Sequence, residues 1–173
     1  MKSLLIIGAG GHGEVVQEVA LSMIGQFGIG YGKIAFLDDN AESAIGPIKD
    51  LESFAQDFDD AFCAIGNNAF RKTIIERIQK SDCQLATLVH PSAYVSPSAT
   101  IEPGTIIEPN AIVHANAHIE QGCIISVGAI IDHDAHIGAF SHVNAGAICI
   151  AGSTVPAETK VGAGEIIPGF TTR

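Results

Sequence analysis

With 173 residues, 47% of them hydrophobic and 16% charged, the chain can bury one ordinary core or two small ones and is not disordered by composition. Nine basic residues against nineteen acidic give a net charge of −10, and beyond residue 81 only Lys160 and Arg173 are basic, which excludes the basic stripe of a nucleic-acid binder. Cys63, Cys83, Cys123 and Cys149 form no CxxC pair, and no stretch approaches the roughly 20 apolar residues of a membrane span, so a soluble cytoplasmic chain with reduced thiols is expected.

The N-terminal run Ser3–Ile7 is short and breaks into glycines, so it reads as a buried strand rather than a signal peptide. Gly8–Gly13 reads as a turn, and Glu14–Ile24 spaces Val15, Val16, Val19, Ala20 and Met23 at helical intervals. Lys33–Leu37 is predicted as a second strand ending in Asp38-Asp39, and Ala61–Ile65 as a third ending in Gly66-Asn67-Asn68. A helix over Arg71–Lys80 and a fourth strand over Leu85–Val89 follow. Apolar strands alternating with helices predict a small α/β domain with a parallel sheet, Rossmann-like, over residues 1–88.

From residue 89 the period changes to six. Val89, Val95, Ile101, Ile107, Val113, Ile119, Ile125, Ile131, Ile137, Val143, Cys149, Val155, Val161 and Ile167 hold one phase, and four residues after each stands a small residue in every case but Glu165. Such a hexapeptide repeat predicts a left-handed parallel β-helix over 89–173, in which branched residues point inward and small residues let the corners turn. A short prism with partly apolar faces is expected to associate side by side, as a homotrimer.

Gly8-Ala9-Gly10-Gly11-His12-Gly13 matches G-x-G-x-x-G between a strand and a helix, with Asp38 at the end of the next strand. A domain of this size holds one nucleotide diphosphate more readily than a dinucleotide, so a nucleotide ligand is favoured over NAD and over a purely structural turn. His118 and His136, eighteen residues apart, read as a stacked solvated ladder. No two histidines are five apart, so no metal is expected. His133, in Ile131-Asp132-His133-Asp134, has carboxylates on both sides that raise its basicity and suit it to act as a general base; a plain surface histidine is the alternative.

The runs IIGAGGHGEVVQEVA, FLDD, AIGNN and IDHDAHIGAFSHVNAGA together resemble the sialic acid O-acetyltransferase family of hexapeptide-repeat acetyltransferases, which includes UDP-amino-sugar N-acetyltransferases of the bacillosamine pathway. The resemblance implies a trimer that transfers acetyl from acetyl-CoA to the amine of a UDP-4-amino-4,6-dideoxy sugar. It implies a nucleotide-sugar site at Gly10, Gly11 and His12, with Asp38 and Asp39 facing the uridine and Gly66 lining the pocket. It further implies His133 as general base sharpened by Asp134, and His142 and Gly152 at acetyl-CoA. His133 and His142 are nine residues apart, half a coil, so they can share a cleft only across neighbouring chains. Members of the family continue for further coils beyond the position of Phe170, which leads us to expect weak acetyl-CoA binding that relies on backbone amides or on Lys160 and Arg173, and an end at Ile166, Ile167 and Phe170 that frays or packs on a neighbour. A sialic acid O-acetyltransferase and a non-catalytic nucleotide-sugar-binding protein are the alternative functions.

Overall fold

The computed structural model describes residues 1–24 and 30–170, and the chain divides into two compact units, Met1–Leu88 and Val89–Arg173. In the first unit, β1 (Lys2–Ile7), α1 (Gly11–Ser22), β2 (Tyr31–Leu37), α2 (Leu51–Ala55), β3 (Asp60–Cys63), α3 (Asn68–Ile78) and β4 (Gln84–Leu85) follow in chain order. The strands form a parallel sheet in the order β2-β1-β3-β4. Leu4, Leu5, Ile6 and Ile7 of the central β1 are wholly buried, each worth about 1.5–3 kcal/mol of apolar transfer. Val16, Val19 and Ala20 of α1 and Ile74, Ile75 and Ile78 of α3 are the buried sides of the helices.

Besides shifts of one or two residues at strand ends, such as β2 starting at Tyr31 and β3 ending at Cys63, four differences from the sequence reading stand out. First, α1 starts at Gly11 rather than Glu14, because the extended Gly10 caps it. Glycine's low helix propensity disguises that first turn. Second, α3 starts at Asn68 rather than Arg71, since Asn67 Oδ1 accepts the Phe70 amide at 2.9 Å as an N-cap. Third, the stretch Leu85–Val89 is not one strand: Gln84–Leu85 extends the sheet beside β3, and Leu88–Val89 is the first of the short strands that follow. Fourth, the 3-10 turn Ile48–Asp50 and the short α2 after it have no counterpart in the sequence reading.

In the second unit the chain is a left-handed parallel β-helix, a column of two-residue strands in three parallel sheets. Residues eighteen apart pair, as in His118↔His136, Ile125↔Val143 and Ile131↔Cys149. The hexad residues Ile107 to Val161 are wholly buried or nearly so and stack as the core. Strand alternation turns the preceding residue outward. One face therefore carries Thr100, His118, His136 and Thr154, a second Ile106, Ile124, His142 and Lys160, and a third Tyr94, Ile112, Ile130, Ile148 and Ile166. Tyr94 and Ile166 on the third face are exposed.

The corner mechanism differs from the sequence reading. The turn is made one position before the small residue, by a residue in the left-handed region: Asn110, Asn116, Asp134, Phe140, Glu158 and several glycines. The small residues that follow, such as Ala111, Ala117, Ala129, Ala135 and Ala147, are buried inside the corner, where a larger side chain would not fit. No helix among the described residues is long and apolar enough to cross a membrane.

Candidate functional site

Within the sheet unit, the strand order reverses between β1 and β3, which makes the crevice at their carboxyl ends the place where such folds take ligands. The loops after both strands lead straight into α1 and α3, so two helix N-termini point at that edge. The glycines of the first loop serve different ends. Gly8 has φ +104°. At Gly13 a Cβ would lie 2.3 Å from the Gly8 carbonyl oxygen, so this glycine lets α1 close on the loop. Gly10, Gly11 and Gly66 have ordinary backbone, and a Cβ on any of them would meet nothing within 4 Å. Beyond the N-cap role of Gly10, neither a positive φ nor close packing calls for glycine at these three, and together they leave room for a ligand against bare backbone.

Arg71, wholly buried, organises the opposite loop by donating to the carbonyls of Ile65 at 3.0 Å and Gly66 at 3.3 Å and to Asn68 Oδ1 at 2.8 Å. The sequence reading gave it no role. Burial, and then the Arg71 guanidinium, push the His12 pKa down to about 4. His12 is therefore neutral near pH 7 and meets a ligand as a hydrogen-bonding group rather than as a cation. The unfolded chain takes up a proton at His12 below its ordinary pKa of 6.5, and the folded chain does so only near 4. Its contribution to stability is thus present above 6.5 and declines as pH falls toward 4, by about 2–4 kcal/mol in total. His12→Asn should flatten the fall in Tm across that window, as measured by thermal unfolding at a series of pH values.

The two acidic residues of LDD are engaged by backbone. Asp38 Oδ2 accepts from Ala9 N at 2.9 Å, and Oδ1 accepts from Asn40 N at 2.8 Å and Ala41 N at 3.0 Å. Those bonds, that of Ala9 foremost, hold its carboxyl below the usual carboxylate range. Asp39 Oδ1 accepts from Ile48 N at 2.9 Å. Turn amides thus engage these oxygens, and Asp38 braces the glycine run against the end of β2, while Asp39 stays exposed with its second oxygen toward solvent. Beside that brace lies a cavity of about 420 Å³, lined by residues that include Ala9, Glu14, Gln17, Phe36 and Ile45.

In the β-helix, Asp134 has φ +59°, and its Oδ2 lies 2.8 Å from His133 Nδ1. That hydrogen bond, and then Asn116 beside it, keep the Asp134 carboxyl low, so it is ionised and can only accept. In the neutral ring Nδ1 of His133 therefore carries the proton and Nε2 the lone pair. The Asp134 bond first, then the charges of Asp132 and Asp134, raise the basicity of the exposed ring. Asp132 Oδ1 accepts from the His133 amide at 2.7 Å and lies 3.2 Å from His114 Nδ1.

His142 lies on another part of the prism. Its Nε2 is 3.1 Å from Ser126 Oγ, and Lys160 stands one coil further on the same face. His133 sits at the corner between the face of Ile130 and the face of His136, opposite the face that carries His142. At Gly152 a Cβ would lie 2.2 Å from the Phe170 ring, and the Phe170 amide donates to Ala151 O at 3.0 Å. An aromatic ring of its own chain therefore stands where a side chain at position 152 would be. Phe170 thus meets Gly152 of its own chain while remaining 64% exposed. Arg173 lies outside the described residues.

His118 and His136 do stack, with ring centroids 5.0 Å apart. Each is also clamped to a glutamate sixteen residues earlier, Glu102 at 2.9 Å and Glu120 at 2.7 Å. The second oxygens of those glutamates accept the amides of Gln121 and Ala139. The ladder is a rung-to-rung tie, and it places no acid beside His133.

A glycine-cradle α/β unit followed by a hexapeptide β-helix with an Asp-oriented histidine defines the class of Rossmann-fronted hexapeptide-repeat transferases. Residues 3–78 match the PglD N-terminal domain family. The acetyltransferase domain of PglB from Neisseria gonorrhoeae superposes with a TM-score of 0.89 at 36% identity, covering 96% of this chain and 82% of that one. The same domain has a structure in complex with acetyl coenzyme A, with a TM-score of 0.88 at 36% identity, covering 95% and 81%. A perosamine N-acetyltransferase mutant from Caulobacter crescentus, in complex with CoA and GDP-perosamine, superposes at 0.82 with 27% identity, covering 98% and 90%. The UDP-N-acetylbacillosamine N-acetyltransferase of Bacillus subtilis (strain 168) is 35% identical over 105 residues, 58% of this chain and 49% of that protein, so the match spans about half the length of the curated relative. The chain belongs to the PglD-type family of hexapeptide-repeat acetyltransferases.

Proposed function

We propose that the protein transfers the acetyl group of acetyl-CoA to the amine of a nucleotide-linked 4-amino-4,6-dideoxy sugar, with UDP favoured as the nucleotide. The observation that carries this reading is the His133–Asp134 pair, exposed on the prism with Nε2 carrying the lone pair. The nucleotide diphosphate binds at Gly10, Gly11 and Gly66 beneath the two helix N-termini, with His12 as a neutral partner and the base toward the cavity beside Asp38. His133 Nε2 accepts the proton that the sugar amine loses as its nitrogen bonds to the acetyl carbonyl carbon; the carbon–sulfur bond breaks and the thiolate of CoA departs. Asp134 holds the tautomer and stabilises the imidazolium. On the donor side, His142 contacts acetyl-CoA and the exposed Lys160 suits its phosphates.

The protein acts as a cytoplasmic homotrimer in this reading. His133 and His142 stand on opposite sides of one prism, so a cleft holding both is completed by a second copy, and the third face, rich in isoleucine, suits burial between copies. Relatives that act on UDP-linked and GDP-linked amino sugars support the acceptor class. The test is a panel of UDP- and GDP-linked 4-amino sugars with acetyl-CoA, following thiol release. Release dependent on a UDP-linked amine is expected. Nucleotide-sugar binding without release would instead favour a non-catalytic binding protein, and transfer to a sialic acid hydroxyl would move the reading to O-acetylation.

A further inference from the structure

The corner that carries Asp134 repeats every eighteen residues as the column Ser98, Asn116, Asp134, Gly152. Asn116 (φ 58°) and Asp134 (φ 59°) share the left-handed conformation, so their side chains leave consecutive coils from equivalent backbone. Asn116 Nδ2 donates to Asp134 Oδ1 at 3.1 Å, while Asp134 Oδ2 takes His133 Nδ1 at 2.8 Å. Asn116 is itself fixed from below, because its backbone amide donates to Ser98 Oγ at 3.1 Å. Each carboxylate oxygen of Asp134 thus has one assigned partner, and the amide decides which oxygen faces the imidazole.

We infer that Asn116 is a positioning residue for the proposed base, the outer member of an Asn116–Asp134–His133 relay built across two coils. The inference rests on the reading of His133 as the base. Asp134 is exposed, and without the amide its carboxylate is held only by His133 among the side chains of the described residues, so that bond is shared with water. The other charged or titratable groups facing His133 are Asp132, bonded to its backbone amide, and His114, whose ring centroid is 6.2 Å away. Neither touches Nδ1, so neither takes over the role of Asp134.

The αL conformation shapes the test. Asn116→Ala would add backbone strain, whereas Asn116→Gly removes only the amide, and glycine already occupies this column at Gly152 with φ +66°. The experiment is an NMR titration of the His133 imidazole in the full chain, paired with the pH–rate profile. Asn116→Gly should lower the His133 pKa by roughly half a unit to one unit, through the weakened bond to Asp134, and lower kcat by roughly 10–100-fold with the KM for the nucleotide sugar unchanged. Asn116→Asp, which tolerates the backbone but cannot donate, should lose kcat likewise. Ser98→Ala, which leaves the amide in place, should leave the titration where it was. An unchanged or raised His133 pKa in Asn116→Gly overturns the relay. The titration needs no turnover, so a His133→Ala variant that keeps its activity would sink the base assignment without bearing on the relay.

Discussion

His133→Ala should cut turnover by about 10²–10⁴-fold, the usual worth of a general base, with nucleotide-sugar binding unchanged in calorimetry. Asp134 takes Nδ1–H at 2.8 Å, so the lone pair is on Nε2, and the ring is exposed where an amine can reach it. The pH dependence follows with a definite sign. The base works only when neutral, and its pKa is raised, chiefly by the Asp134 bond, so the acidic limb lies above the ordinary imidazole value. Asp134→Asn removes that stabilisation of the imidazolium. The limb should move to lower pH while the maximal rate falls, by less than in His133→Ala. Near-normal turnover in His133→Ala would return His133 to an ordinary surface residue.

The second large effect is expected in the glycine run, where two neighbouring glycines should behave in opposite ways. In Gly13→Ala the new methyl would sit 2.3 Å from the Gly8 carbonyl oxygen, and both partners are backbone, so α1 must shift against the loop. We expect a loss of about 1–3 kcal/mol or more in thermal or denaturant unfolding, together with loss of nucleotide-sugar binding. Gly10→Ala meets nothing within 4 Å and has an ordinary φ of −76°, so Tm should hold or rise slightly. Its methyl would nevertheless stand in the space assigned to the ligand, and binding should weaken at least about tenfold, or about 1.4 kcal/mol. Full binding by Gly10→Ala would mean that the open space above this backbone is not the ligand site.

These contrasts mark how far residue patterns reached. The phase of Ile107, Ile125, Val143 and Val161 disclosed the β-helix, because inward stacking at a fixed period leaves the same residue class at every sixth position. The pair His133–Asp134 was legible for a similar reason, since neighbours in the chain stay neighbours in the fold. The first turn of α1 was not legible, because glycine reads as turn wherever a helix must start against bare backbone. Nor was the roof over Gly152, a contact with Phe170 that no local pattern encodes.

The sequence by itself determined the two architectures, the glycine cradle and the histidine on the prism, because each depends on local period or on adjacent residues. Only the tertiary structure decided the partners. Asn116 meets Asp134 and Ser126 meets His142 from one coil to the next, at separations of eighteen and sixteen residues that are exact only once the coil has closed. The turn amides of Ala9, Asn40 and Ala41 are likewise brought within reach of the Asp38 oxygens only by the fold. A carboxylate bonds the nearest donors, and which donors are nearest is fixed by how the chain folds around it.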